Sequence, residues 1–146
     1  MGRREVEAVA KDVEERIAQV PIFSNCTQKE LALVARAAKE VTHRSGTIIA
    51  REGQRGLGLF VILEGRCSVT IGGMRRATLG AGDFFGEIAL LDGGPRSATV
   101  TAETDVRLAG LTEWVFRGLL QEHPSIAIKT LESVAGRLRT VAKEQV

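Results

Sequence analysis

The stretch Phe85-Gly-Glu-Ile-Ala-Leu-Leu-Asp-Gly-Gly-Pro-Arg-Ser-Ala-Thr-Val100 decides how the rest of the chain is read. A carboxylate, Glu87, opens a short apolar helical turn. Gly93-Gly94-Pro95 then turns the chain back to Arg96, which small residues follow. Main-chain N–H groups over 86–91 are expected to be free at the start of that turn, and a helix end favours an anion. Arg96 adds a planar, permanently charged fork that suits two phosphate oxygens at once. Glu87 would repel a bare phosphate, so it belongs here only if the ligand also carries a hydroxyl to donate to it. The pattern asks for a phosphate and a hydroxyl on one small molecule, and a sugar phosphate fits. By themselves, a Glu and an Arg nine positions apart would be a surface ion pair of little energetic weight. The surrounding pattern is what lifts them above that.

Outward from this stretch, the chain reads as short strands punctuated by glycine. Upstream these are 41–44, 47–51, 59–64, 66–71 and 75–79; downstream they are 99–102 and 106–111. Cys67, Val69 and Ile71 alternate with Arg66, Ser68 and Thr70, the period of a half-buried strand with the cysteine facing in. Gly72-Gly73 reads as a tight hairpin turn. Many short strands in succession predict an antiparallel roll or jelly roll rather than a βαβ sheet.

Helices flank the strands. Val6, Val9, Val13 and Ile17 recur at helical spacing over 3–19, and Pro21 ends that helix. Thr27 and Glu30 form a capping-box pair, with Cys26 placed to staple against Leu31. The helix they open runs to 39 with Leu31, Val34 and Ala35 inward. Thr112 is placed to cap a helix whose Phe116, Leu119 and Leu120 form a core stripe; His123-Pro124 breaks it, and 125–144 is a last helix. Ala127, Leu131, Val134, Leu138 and Val141 make an a/d-like seam on it, which either packs on the protein's own roll or joins a second copy. The fold class expected is mainly β with flanking α-helices. It is a single domain over 1–146, with N-terminal helices in 1–40, the roll in 41–111 and C-terminal helices in 112–146.

The run 85–100 resembles the phosphate-binding cassette of cyclic-nucleotide-binding domains, a family found in bacterial regulators, kinases and channels. Gly46-Thr-Ile-Ile-Ala-Arg-Glu-Gly53 and Leu59-Phe-Val-Ile-Leu-Glu-Gly65 resemble the first strands of that family's β-roll, and the likeness covers roughly 21–139. It implies that Glu87 holds the ribose 2′-hydroxyl and Arg96 the exocyclic phosphate oxygens. Backbone N–H groups near Gly86, Ile88 and Ala98, with the Ser97 side chain, would complete the cradle. The residues expected at the ligand are Phe85, Gly86, Glu87, Ile88, Ala89, Arg96, Ser97 and Ala98, with Arg137 on the last helix. Ser97 resembles the serine of bacterial cyclic-AMP regulators, where cyclic-GMP-binding relatives often carry threonine; its hydroxyl could also meet a guanine amino group. Val141 and Ala142 stand where bacterial regulators place hydroxyl side chains on adenine. The implied ligand is cyclic AMP, with cyclic GMP as the alternative, and no cofactor is called for. A sensor that relays occupancy through its last helix follows. The alternatives are a regulatory piece of a larger channel, kinase or transcription regulator, and a ligand-free interaction scaffold.

Composition sets the bounds. The chain has 146 residues, 44% hydrophobic and 26% charged, an ordinary globular balance. Twenty basic and eighteen acidic residues leave a net charge of +2, too even to argue for nucleic acid. With the sequence stopping at Val146, a helix-turn-helix module after the last helix is not expected, nor is direct DNA binding. Cys26 and Cys67 form no C-x-x-C pair and read as reduced, buried thiols. Met-Gly-Arg-Arg-Glu at the start lacks an apolar signal core, Val6 breaks the myristoylation pattern, and the longest apolar stretch, 57–63, is too short for a bilayer. A cytoplasmic protein without membrane contact is expected. His43 and His123 show no metal-ligand spacing, two cysteines are too few for a four-cysteine cluster, and no nucleophile meets a base. Ring hydrolysis needs metal ions or a positioned base, so binding without turnover is the expectation.

Overall fold

A computed structural model describes residues 2–56 and 58–145. Leu57, at the head of the longest apolar stretch, lies outside them, as does the side chain of Val6. The chain divides into two compact units, 38–116 and a helical unit made of 1–37 with 117–146.

Among the described residues of the first unit, eight strands form two antiparallel four-stranded sheets. One orders β1 (Lys39–His43), β8 (Val106–Thr112), β3 (Gly58–Glu64) and β6 (Phe84–Phe85). The other orders β2 (Ile48–Ala50), β7 (Thr99–Ala102), β4 (Cys67–Ile71) and β5 (Met74–Leu79). Their inner faces share one core: Ile62, Val106 and Leu108 from the first sheet meet Ala50, Cys67, Val100 and Ala102 from the second. Burying each of the larger side chains contributes about 1.5–3 kcal/mol. This is the antiparallel β-roll that the glycine-punctuated strands call for. β3 is buried on both faces save at Phe60 and Glu64, and α3 (Glu87–Asp92) packs against it.

Several boundaries differ from those the sequence predicts. The second helix, α2 (Gln28–Ala37), stops short of residue 39, because Lys39 is already paired with Gly110 across β1 and β8. Phe84 and Phe85 pair with Val61 and Phe60, a two-residue strand too short to announce itself. Thr112 does not cap the next helix. It ends β8, and its buried hydroxyl has no hydrogen-bond partner among the described residues. Ile71, expected inward with Cys67, is 41% exposed.

The helical unit contains α1 (Arg3–Ile17), a 3-10 turn at Pro21–Phe23, α2, and α5 (Pro124–Gln145); α4 (Glu113–Glu122) crosses from one unit into the other. The capping box forms as the sequence indicates. Thr27 N donates to Glu30 Oε1 at 2.8 Å and Glu30 N to Thr27 Oγ1 at 3.2 Å. Glu30 is itself buried and accepts from two α5 residues, Ser125 Oγ at 2.6 Å and Lys129 Nζ at 2.5 Å. Those donors hold its carboxyl down at about 2, the Lys129 ammonium contributing most. Pro124 takes the first position of α5, where its missing N–H costs nothing. Along α5 the buried positions are Ile126, Thr130 and Ser133, while Leu131, Leu138 and Val141 of the expected seam are exposed. The two cysteines are free, Cys67 wholly buried and Cys26, contrary to expectation, only partly so. Burial pushes both thiols up from their ordinary value. Among the described residues no helix is long and apolar enough to cross a membrane, and no three His, Cys, Asp or Glu side chains group as metal ligands.

Candidate functional site

Where α3 leaves β6 the chain needs a residue with positive φ, and Gly86 supplies it at φ 88°. α3 ends at a second left-handed glycine, Gly93 at φ 66°, and Asp92 Oδ1 accepts from Gly94 N at 2.7 Å. That turn returns the chain to Arg96, and Glu87 and Arg96 both line one cavity. The cavity has a volume of about 520 Å³. Eight of the nine residues expected at the ligand, 85–89 and 96–98, line it. Phe85 is fixed by a stacked contact with Phe60, ring centroids 5.3 Å apart. Oε2 of Glu87 is shielded from solvent. Ser97 and Ile88 stand at exposed positions of the lining. The ninth residue, Arg137, is an exposed side chain of α5 in the helical unit and is not part of this lining.

Arg96 is the unusual member. It is 9% exposed, and Nη2 donates to the carbonyl of Gly58 at 2.7 Å. Among the described residues that is its guanidinium's one hydrogen bond, and no carboxylate neutralises it. Burial accordingly pushes its pKa down from the ordinary arginine value, which leaves it charged but poorly compensated. Buried charge without a counter-ion is costly. An anion entering the cavity would relieve that cost.

The opposite sheet supplies an apolar wall that residue-by-residue motif reading passed over. Val69 and Ala50 both pair with Val100 in the strand register, so three neighbouring strands present Ala50, Val100 and Val69 side by side. The alternation through β4 had marked Val69 as inward-facing, which was the available signal. Asp92 also lines the cavity, so the charged lining consists of Glu87, Asp92 and Arg96.

Comparison with known proteins agrees with this geometry. Residues 40–123 match the family model described as the cyclic nucleotide-binding domain. A cyclic nucleotide-gated potassium channel of Rhizobium etli is 40% identical over 76% of this chain and 31% of the channel. The cAMP-dependent protein kinase regulatory subunit of Colletotrichum orbiculare is 32% identical over 73% of this chain and 28% of that subunit. This chain thus spans under a third of the length of these curated relatives. Among solved structures, the N-terminal domain of a transcriptional regulator from Streptomyces coelicolor A3(2) superposes with a TM-score of 0.82 at 29% identity, covering 90% of this chain and 95% of that one. With a roll, a cassette and a matched family model over most of its length, the chain belongs to the cyclic nucleotide-binding domain family.

Proposed function

We propose that the cavity takes cyclic AMP, binds it without turnover, and reports its presence through the last helix. The observation that carries this reading is the buried guanidinium of Arg96, held by one carbonyl and facing the cavity with donors to spare. A cyclic phosphodiester carries one negative charge, enough to compensate one buried cation. Glu87, on the same lining, accepts from the ribose hydroxyl, and Ser97 donates to the phosphate. The choice of adenine over guanine rests on Ser97, whose hydroxyl is the serine of cyclic-AMP-type cassettes. Because that hydroxyl can also meet a guanine amino group, cyclic GMP is expected to bind more weakly rather than not at all.

Calorimetric titration with cyclic AMP and cyclic GMP in parallel tests this. Saturable binding with cyclic AMP the tighter is expected, and absence of heat with both would end the proposal.

For the relay, a ligand shifts an equilibrium only by its differential affinity for two states. Occupancy is expected to change amide exchange over 125–144; unchanged exchange at saturation removes the relay. The partner proposed to read that change is a second copy. Leu131, Leu138 and Val141 repeat at seven- and three-residue intervals on an exposed face, a spacing that can match its own image. Sedimentation over a concentration series should show a dimer that Leu131→Asp abolishes; a monomer throughout would remove that partner.

A further inference from the structure

The strip 53–56, between β2 and β3, holds the backbone of Arg96, while Gly58 at the head of β3 holds its side chain. Gly53 N donates to Arg96 O at 2.8 Å, Arg96 N to Gln54 O at 2.8 Å, and Gly56 N to Gly94 O at 3.3 Å. Arg55 bridges to Pro95, and its Nε donates to the Gly93 carbonyl at 3.0 Å. The strip 53–56 therefore runs along 93–96 as a two-stranded clamp. At the side chain, Gly58 O takes Nη2 of Arg96 at 2.7 Å.

Gly56 explains itself only through this contact. Its φ is not positive, so its backbone makes no demand for glycine. A Cβ placed there would lie 2.7 Å from Nε and 2.9 Å from Cζ of Arg96, and 2.8 Å from Cβ of Ala89. Those separations are well inside van der Waals contact, so the guanidinium would have to leave its slot. Gly58 is constrained twice, by φ 139° and by a would-be Cβ 2.1 Å from the Leu111 carbonyl oxygen. Its own carbonyl is thereby fixed in direction.

We infer that Gly56 and Gly58 form the positioning element of the anion-binding arginine: Gly58, at the head of β3, aims the guanidinium with its carbonyl, and Gly56, by lacking a side chain, leaves the slot in which it lies. The inference rests on the ligand reading of Arg96 for its functional meaning, but the placement itself can be measured without ligand. A fork of donors recognises phosphate only in one orientation, so a displaced guanidinium keeps its charge and loses its geometry.

The test compares Gly56→Ala with Gly80→Ala, a glycine whose added Cβ would meet nothing within 4 Å. In the unliganded protein, the Arg96 Nε–H resonance, identified by its loss in Arg96→Ala, should exchange more slowly than those of exposed arginines. It should keep its position in Gly80→Ala and move in Gly56→Ala. Cyclic AMP affinity should fall about ten- to a hundredfold in Gly56→Ala and stay within about twofold in Gly80→Ala. Adding Ala89→Gly to Gly56→Ala should not restore either readout; full restoration would assign the clash to Ala89 and overturn the inference. So would an unmoved resonance with unchanged affinity. Should Gly56→Ala fail to fold, the wild-type exchange rate decides alone, and a rate equal to that of exposed arginines refutes the positioning role. If the wild type binds no cyclic nucleotide, the ligand reading falls while the resonance still judges the positioning role.

Discussion

Among the described residues two charged side chains are buried, Glu30 in the helical unit and Arg96 in the roll, and their surroundings treat them in opposite ways. Glu30 collects Thr27 N, Ser125 Oγ and Lys129 Nζ, and its pKa moves in the direction that favours its charge. Arg96 has one carbonyl, and its pKa moves in the direction that disfavours its charge. The first is a finished structural joint between α2 and α5. The second has no counter-charge among the described residues, and the proposed ligand would supply one. Burial alone does not separate them; the number of partners and the direction of the shift do.

Five substitutions at four positions break or sharpen this contrast. Removing one partner of a buried, hydrogen-bonded charge pair costs about 2–5 kcal/mol. Arg96→Ala is therefore expected to weaken cyclic AMP binding by about 30- to 4,000-fold, at about 1.4 kcal/mol per decade. It should leave stability unchanged or raised, because an uncompensated buried charge has gone. Loss of folding in that variant would place Arg96 in the structural class with Glu30.

Glu30→Gln should do the reverse, lowering stability by about 1–3 kcal/mol with affinity unchanged. Because the folded-state pKa is depressed to about 2, the stabilisation is present above the ordinary value of 4.5 and lost as pH falls toward 2. The gap between the denaturant midpoints of wild type and Glu30→Gln should thus hold steady above pH 4.5 and close as pH falls toward 2. A gap that does not narrow below pH 4.5 would contradict the ionic account.

Smaller effects follow. Glu87→Ala should weaken binding about tenfold by leaving the ribose hydroxyl unmatched, and Glu87→Gln less, since an amide still accepts. Equal losses in the two titrations would show that charge, not acceptance, matters there. Arg107, paired with Glu40 at 2.9 Å and Glu64 at 3.0 Å near the surface, is the control. Arg107→Ala should change stability by less than about 1 kcal/mol despite its two carboxylates, as thermal unfolding would report.

The sequence made the local features legible and hid those that depend on residues far away. Glu87 and Arg96 could be read because a turn of fixed chemistry separates them, and the roll because alternation and glycine recur strand by strand. The start of β1 could not. Lys39 and Glu40 carry no helix-breaking signal, and only pairing with Gly110 and Ala109 on β8 draws them into a strand. Gly56 was equally opaque, since its reason is a guanidinium forty positions later. On α5, apolar spacing pointed to Leu131 and Leu138, whereas the structure buries Ile126, Thr130 and Ser133. Periodicity finds a stripe but not the side from which a neighbour arrives.

The unequal burial of the two cysteines has a practical outcome. Cys67 is sealed in the roll's core, while Cys26 is partly open beside the joint made by Glu30 and Lys129. A maleimide fluorophore should therefore attach to the native chain at one place, slowly at neutral pH because that thiol resists ionisation. The dye would sit in the helical unit, remote in sequence from the cassette, and its emission would read out the joint without any engineered label site.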